Sequence, residues 1–208
     1  MGRVYLDHAA TTPVDPEVAD AMARVLRETH GNPSSIHAEG RAARALVDRA
    51  REDVASALGA EPSEIVFTGG GTEADNLALR GVLRARRADG SGLVTTAIEH
   101  HAVSDTATDL AAMADGARLT VLPVDHDGLV DPAVLERALD EHTVLVSVVH
   151  GNNEIGTVQP LDLLGAVCRR RGGTFHTDAI QSVGALPFDV RVLPVDLVSV
   201  NAHKFYGP

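Results

Sequence analysis

Lys204 is the only lysine among the 18 lysine and arginine residues of a 208-residue chain. Arginine meets every other need for a fixed positive charge, and it would serve here too if charge were all that was wanted. A guanidinium stays protonated, whereas a lysine amine can lose its proton and attack a carbonyl to form a Schiff base. The residue closes Asp196-Leu-Val-Ser-Val-Asn-Ala-His-Lys204, an apolar, β-branched run that ends in a polar turn. Strand ends of that kind are where α/β proteins place their chemistry. The competing explanation is an arginine-biased composition that left one ordinary surface lysine.

A second signal is Ile65-Val-Phe-Thr-Gly-Gly-Gly-Thr-Glu-Ala-Asp-Asn76, which reads as a strand, three glycines and a helix beginning with Thr72. Such a turn aims free backbone N–H groups and the positive end of the helix at one point, with no side chains in the way. It is a seat for a phosphate, although glycine-rich turns also arise for packing alone. No Gly-Lys-Ser/Thr follows, so it is not a Walker A loop. The spacing Gly-x-Gly-x-x-Gly is absent as well, and Asp89, about 20 residues on, is not at a strand end, which argues against a dinucleotide.

Three further stretches put polar groups at strand ends. Thr174-Phe-His-Thr-Asp178 alternates so that His176 and Asp178 share a face, with Gln181 just beyond. Val144 to Val149 runs into His150-Gly-Asn-Asn153, and Leu93 to Ile98 into Glu99-His100-His101. Phosphate seat, acid, amide, imidazole and lysine thus fall on one edge of a parallel sheet, where such sheets bind ligands. Together they fit pyridoxal 5'-phosphate: a lysine for the aldehyde, an acid for the pyridinium nitrogen, an amide for the ring hydroxyl, a flat ring for stacking and a helix end for the phosphate. Each residue also has a plainer reading. Asp178 can cap a helix, and Asn152 and Asn153 can form a turn. Cys168 lies in an amphipathic helix and reads as a packed thiol. No His-x-x-x-His or Cys-x-x-Cys pair is present, so no metal site is expected among the ten histidines.

The elements that must position these groups alternate along the chain. Asp15-Pro16 and Asp131-Pro132 each set a capping acid before a first-turn proline, so helices are expected from about 16 and 132. From Ile36 to Leu58 the set Leu46, Ala50, Val54, Ala57 and Leu58 keeps helical spacing. Arg84, Arg86 and Arg87, and the run Arg169 to Arg171, suit helix C-termini. Strands are expected at 64–68, 92–97, 118–122, 143–149, 174–178 and 195–200, several apolar on both faces. Strands buried on both sides and separated by helices predict an α/β, three-layer fold with a mainly parallel sheet. Residues 1–15 read as an N-terminal arm and 16–208 as the domain that follows it.

Composition narrows the class. With 44% apolar residues the chain can bury one sizeable core. A net charge of −11 speaks against nucleic acid or an anionic membrane as partner, since both select basic patches. No apolar run reaches the roughly 18 residues of a membrane helix, and the N-terminus lacks an apolar signal core. A single cysteine excludes an internal disulfide and suits a reducing compartment, so a cytoplasmic location is expected.

Seven motifs, in order, resemble one family: Tyr5-Leu-Asp-His-Ala-Ala-Thr-Thr-Pro13, Asn32-Pro-Ser-Ser-Ile-His37, Phe67-Thr-Gly-Gly-Gly-Thr-Glu-Ala-Asp-Asn76, Glu99-His100, His150-Gly-Asn-Asn-Glu-Ile-Gly156, His176-Thr-Asp-Ala-Ile-Gln181 and Ala202-His-Lys-Phe-Tyr-Gly-Pro208. The chain is similar over its whole length to the NifS-like cysteine desulfurases of the class V aminotransferase group, pyridoxal-phosphate enzymes of the aspartate aminotransferase fold. The resemblance implies that Lys204 binds the aldehyde and later moves protons, that Asp178 pairs with the pyridinium nitrogen and that His100 stacks on the ring. It implies Asn153 and Gln181 at the ring hydroxyl, and Gly71, Thr72 and His203 at the phosphate. Asn201 stands where the family usually has serine at a phosphate contact, and its amide can donate instead.

The implied substrate is L-cysteine, converted to alanine while its sulfur passes as a persulfide to an acceptor protein, by a homodimer. The resemblance also places the attacking cysteine, the arginine that grips the substrate carboxylate and the small C-terminal domain beyond residue 208. It places there an antiparallel strand that would fill a gap in the sheet. The chain is therefore expected to be the cofactor-binding portion, with little desulfurase activity alone. Selenocysteine lyase or transaminase chemistry, a non-catalytic remnant, and, with least support, a nicotinamide-binding dehydrogenase are the alternatives.

Overall fold

The computed structural model describes residues 3–113 and 116–208. Its helices are α1 (Pro16–Glu28), α2 (Ala38–Leu58), α3 (Gly71–Ala85), α4 (His101–Ala112), α5 (Pro132–Ala138) and α6 (Leu161–Arg171). The strands are β1 (Gly92–Thr96), β2 (Arg118–Leu122), β3 (Thr143–Val149), β4 (Thr174–Asp178) and β5 (Leu197–Ser199). The chain divides into two compact units, one of Met1–Phe67, Phe188–Val192 and Ala202–Pro208, the other of Thr68–Pro187 and Leu193–Asn201.

The second unit holds a five-stranded sheet in the order β2-β1-β3-β4-β5, every pair parallel. Helices α3 and α4 pack together over one face, and α5 packs with α6, which lies against β4. This is the three-layer arrangement that the alternation of strands and helices predicts. Because helices cover both faces, β1 and β3 bury every residue, which is why β3 reads as a nearly continuous apolar run. Leu79 of α3, Val103, Ala107 and Leu110 of α4, and Leu93, Val144 and Leu145 of the sheet form one core cluster. On β4 the side chains alternate: Phe175 approaches Gly165 of α6, while His176 faces Asp75 of α3. A Cβ at Gly165 would meet the Pro194 carbonyl, so only glycine lets α6 lie this close.

The caps follow the sequence. Asp15 accepts from Glu17 N and Asp131 from Ala133 N, each at 2.8 Å, ahead of the first-turn prolines. In the first unit α2 ends on Gly59, whose φ of 76° is the left-handed cap that glycine adopts without strain. Residues 3–15 form no regular element and are held by hydrogen bonds to 203–206.

Two expectations need correction. The segment 64–68 is not a strand: Ile65 has extended dihedrals, but the segment joins no ladder among the described residues, and Val66 and Phe67 are exposed. Apolar, β-branched composition favours extended backbone, yet a strand exists only where a neighbour supplies hydrogen bonds. The helix expected from Ile36 to Leu58 is α2, but of its apolar set only Val54 and Leu58 are covered, together with Ala43, Val47 and Ala55, while Leu46, Ala50 and Ala57 are exposed. Helical spacing marks the helix without fixing the centre of its covered face.

Leu79→Ala, at a position with no exposure, should cost about 2–5 kcal/mol and lower the denaturant midpoint at unchanged slope, whereas Leu163→Ala, half exposed, should stay within about 0.5 kcal/mol. Chemical denaturation of the two variants checks the contrast, and equal losses would contradict this core.

Candidate active site

The chain winds from β1 outward to β2, then crosses back to β3 and on to β4 and β5, so the winding reverses between β1 and β3. Crevices for ligands open at such a point, beyond the carboxyl ends of the strands. The β1–β3 ladder stops at Val94↔Val146, while β1 still pairs with β2 at Thr96 and β3 with β4 at Val149. The separated ends leave Val149 N without a ladder partner, and Glu99 supplies one. Its Oε1 accepts from Val149 N at 3.0 Å and from Thr96 Oγ1 at 2.6 Å. The other oxygen, Oε2, is buried and has no hydrogen-bond partner. Burial pushes the Glu99 carboxyl up to about 8, against the pull of those two donors.

His100 follows as the cap of α4, its Nδ1 accepting from Ala102 N at 3.1 Å. An accepting Nδ1 puts the proton of the neutral ring on Nε2 and fixes the ring's orientation, with the residue exposed. After β3, Asn152 builds a turn: its Oδ1 accepts from Glu154 N and Ile155 N, and its Nδ2 donates to Ile98 O. Its neighbour Asn153 is exposed. His150 is buried, with Nδ1 2.8 Å from Ser182 Oγ, and burial lowers its pKa.

Asp178 ends β4, buried, its Oδ1 accepting from Ile180 N at 2.9 Å. Gln181 lies half-buried in the turn that follows. Beneath Asp178 runs a row of buried polar side chains. His176 Nδ1 is 2.8 Å from Ser147 Oγ of β3, its Nε2 is 3.0 Å from Ser199 Oγ of β5, and Nε2 is 3.7 Å from Asp75 Oδ1 of α3. Burial drives His176 down to about 4, so it is neutral at pH 7 and gives Asp75 no counter-charge. Both Asp75 oxygens lack a hydrogen bond. Burial first, and the neighbouring Asp178 second, raise the Asp75 carboxyl to about 7, and the nearby Ser199 hydroxyl offsets only a fraction of this.

The glycine turn leads into α3 at Gly71, one residue earlier than the expected Thr72, with Gly70 as a cap that carries no side chain. The first-turn N–H groups near Gly71 and Thr72 are therefore uncovered by a capping group. Glu73 Oε2 holds the turn from outside by accepting from Gly69 N at 2.6 Å. A Cβ on Gly71 would collide with Ile180 and lie 3.2 Å from Asn201 Nδ2, which puts the Asn201 amide beside the helix end.

Within the first unit, His203 and Lys204 occupy a 3-10 turn, Ala202–Lys204. Lys204 is half-buried, and its Nζ donates to the carbonyls of Ala9 and, at 2.8 Å, Ala10. The arm binds the same turn through Thr12, whose N and Oγ1 both donate to His203 O at 2.9 Å. Tyr206, with a left-handed φ of 67°, donates its N–H to Thr12 Oγ1 at 2.7 Å. His203 Nδ1 is 3.1 Å from Thr11 Oγ1. The lone lysine is thus fixed by main-chain acceptors rather than swinging in solvent. Cys168 is packed inside α6, and burial pushes its thiol up to about 12. Asp125, His126 and Asp127 form an exposed trio, but Asp125 Oδ1 already accepts from Asp127 N and Leu129 N, as in an ordinary turn.

The sequence model of the aminotransferase class-V family matches residues 4–208, and the chain belongs to that family. Among curated proteins it is 49% identical over 205 residues to a cysteine desulfurase IscS of Dictyoglomus turgidum, covering 99% of this chain and 52% of the relative. It is 48% identical over 208 residues to a putative cysteine desulfurase, IscS 1, of Bacillus subtilis, covering 100% of this chain and 54% of the relative. A solved NifS-like protein superposes with a TM-score of 0.95 at 41% identity, over the whole of this chain and 57% of the other. SspA in complex with cysteine gives 0.93 at 40% identity, over 98% and 58%. The chain thus spans about half the length of the curated relatives it matches. The fold is that of these solved NifS-like structures.

Sequence reasoning gave no role to Asp75 or Glu99, although both fall inside the motifs quoted above. The signal for Asp75 was available: Gly71, Asp75 and Leu79 recur at four-residue intervals, so an acid interrupts a stripe whose other members are small or apolar, and all three are buried. Glu99 follows an apolar strand, but that its carboxyl replaces a ladder partner cannot be read before the strand order is known.

Glu99 also sets a pH dependence. Its folded value near 8 exceeds the ordinary 4.5, so between those pH values the folded state holds a proton that the unfolded chain has released. The stability this group contributes is complete below 4.5 and is lost as pH rises through 8, at up to ~1.4 kcal/mol per pH unit. Glu99→Gln should flatten the fall in thermal midpoint between pH 6 and 8. Curves that stay parallel would show that Glu99 is ionised in the fold.

Proposed function

We propose that this chain is the cofactor-binding portion of a pyridoxal-phosphate-dependent cysteine desulfurase. The observation that carries the reading is Lys204, the one lysine, seated by two main-chain carbonyls in a chain whose family match runs from residue 4 to 208. The residues present suit the cofactor. An uncapped helix end with an amide beside it suits a phosphate, a buried carboxylate suits a pyridinium nitrogen, and an oriented imidazole suits a ring face.

In this reading Gly71, Thr72, Asn201 and His203 would hold the phosphate, Asn153 and Gln181 would contact the ring hydroxyl, and His100 would stack on the ring. Asp178 would accept a hydrogen bond from the ring nitrogen and favour its cationic form. Lys204 Nζ would be the amine that binds the aldehyde and the base that moves the substrate α-proton. Pyridoxal phosphate, when bound, supplies the electron-accepting ring that makes this proton removable. The carbonyls of Ala9 and Ala10 orient the Nζ, and an arm at residues 1–15 therefore serves the site, with 16–208 as the cofactor-binding domain.

The substrate is L-cysteine, supported by the cysteine complex of the similar SspA, and the sulfur leaves as a persulfide for an acceptor protein. A homodimer belongs to the same proposal, and so does a reducing, cytoplasmic location, since a thiol must be kept reduced if it is to take up the sulfur. Among the described residues no helix is long and apolar enough to cross a membrane.

Incubating the protein with pyridoxal phosphate should give a visible imine absorption band that L-cysteine perturbs. Lys204→Arg should abolish the band, and Asp178→Asn should weaken cofactor retention by about tenfold or more, the loss of one charged hydrogen bond. A band that survives in Lys204→Arg would remove the lysine from this role, and no band in the parent protein would favour a remnant without cofactor.

A further inference from the structure

Asp75 is a carboxyl group in the polar row behind the site, with no exposure and, among the described residues, no hydrogen bond of good geometry to either oxygen, the nearby Ser199 hydroxyl included. The groups that face it can be named element by element. From β4 come Asp178 and the neutral His176, from the turn after β1 comes Glu99, and from β3 and β5 come only the hydroxyls of Ser147 and Ser199. Helix α4 offers His101, Asp105 and Asp109, all exposed, with Asp109 paired to Arg80 at 2.6 Å. Among these described residues no cation meets Asp75. An ionised carboxylate in such a place would meet the full desolvation cost and the repulsion of its neighbours, and taking up a proton relieves both.

We propose that Asp75 is a positioning residue that holds a proton behind Asp178, so that Asp178 stands as the single anion of this buried row. The neutral Asp75, with Ser147, His176 and Ser199, is a wall of hydroxyls and imidazole that supports Asp178 without competing for positive charge. What Asp178 faces rests on the pyridoxal phosphate reading; the proton on Asp75 does not.

The test is a thermal-midpoint titration of the full chain without cofactor, from pH 5 to 9, for the parent protein, Asp75→Asn and Asp178→Asn. Asparagine mimics the protonated acid, so Asp75→Asn should escape the stability loss that the parent suffers as Asp75 gives up its proton. The gap between the two midpoints should widen in favour of the variant as pH rises through about 7. A residue of merely structural value would shift the whole curve instead, and parallel curves overturn the proposal. Should Asp75→Asn fail to fold, infrared titration of the parent labelled with [13C]aspartate decides the matter. A protonated-carboxyl band at pH 6 that persists in Asp178→Asn supports the proposal, and its absence overturns it.

With pyridoxal phosphate bound, the pH midpoint of its visible absorption should fall in Asp75→Asn by about half a unit, because an anion that would form nearby at high pH is gone. An unchanged midpoint overturns the link to the cofactor. If the parent binds no pyridoxal phosphate, the cofactor-facing half falls together with the proposed function, and the cofactor-free curves still decide the proton.

Discussion

A parallel sheet that reverses its winding must separate a pair of neighbouring strands, and the separation of β1 from β3 is the constraint on which the rest of the site depends. Separation leaves backbone donors without partners inside a layer closed by helices on both faces, and a buried orphan N–H costs about 1–3 kcal/mol. Glu99 answers that cost by accepting from Val149 N, and in doing so it brings an acid into the interior. The crevice and its unusual ionisation thus have one origin. The same divergence directs His100 and the turn around Asn152 and Asn153 to the carboxyl edge, where β4 delivers Asp178.

Electrostatics then decides which acids stay charged. An isolated buried carboxylate is so costly that it takes a proton instead, whereas one that accepts from backbone N–H groups is better able to remain an anion. Asp178 accepts from Ile180 N; Asp75 has only the Ser199 hydroxyl nearby, outside good hydrogen-bond geometry; Glu99 uses one oxygen and, among the described residues, leaves the other bare. A histidine between Asp75 and the strand hydroxyls does not supply the missing charge, because its own burial keeps it neutral. Asp75 and Glu99 are therefore both raised, each for its own local reason, and neither shift is visible in net charge.

How much of this could be read from the chain depends on the range of the physics involved. Five strands and the caps at Asp15 and Asp131 are set by neighbours a few residues away, and these agree with the sequence. The segment 64–68 fails because its composition fixes extended backbone but not a partner. Helix α2 forms where its spacing predicts, with Val54 and Leu58 covered, but only the fold decides that Ala43 and Val47 are covered too and that Leu46 and Ala50 are not. Of the residues proposed for the site, Lys204, Asp178 and His100 stand out in the sequence as rare or polar residues at or just after strand ends. Asp75 was hidden inside a helix, and its meaning rests on His176 and Asp178, about a hundred positions later.

The lysine shows the same dependence at the longest range in the chain. Its Nζ is held by Ala10, 194 residues earlier, and Thr12 fixes His203 from almost the same distance. Each such hydrogen bond is worth only about 0.5–1.5 kcal/mol net, and ordering a residue's backbone costs about 1–2 kcal/mol. A single bond would not hold the arm. The arm stays because several bonds act on one turn: Thr11, Thr12 and Asp15 meet His203 and Tyr206, and Tyr206 accepts a left-handed φ that a tyrosine would otherwise avoid. Strain tolerated at Tyr206 is the cost of a turn in which main-chain oxygens, not a flexible partner side chain, determine where the Lys204 amine points.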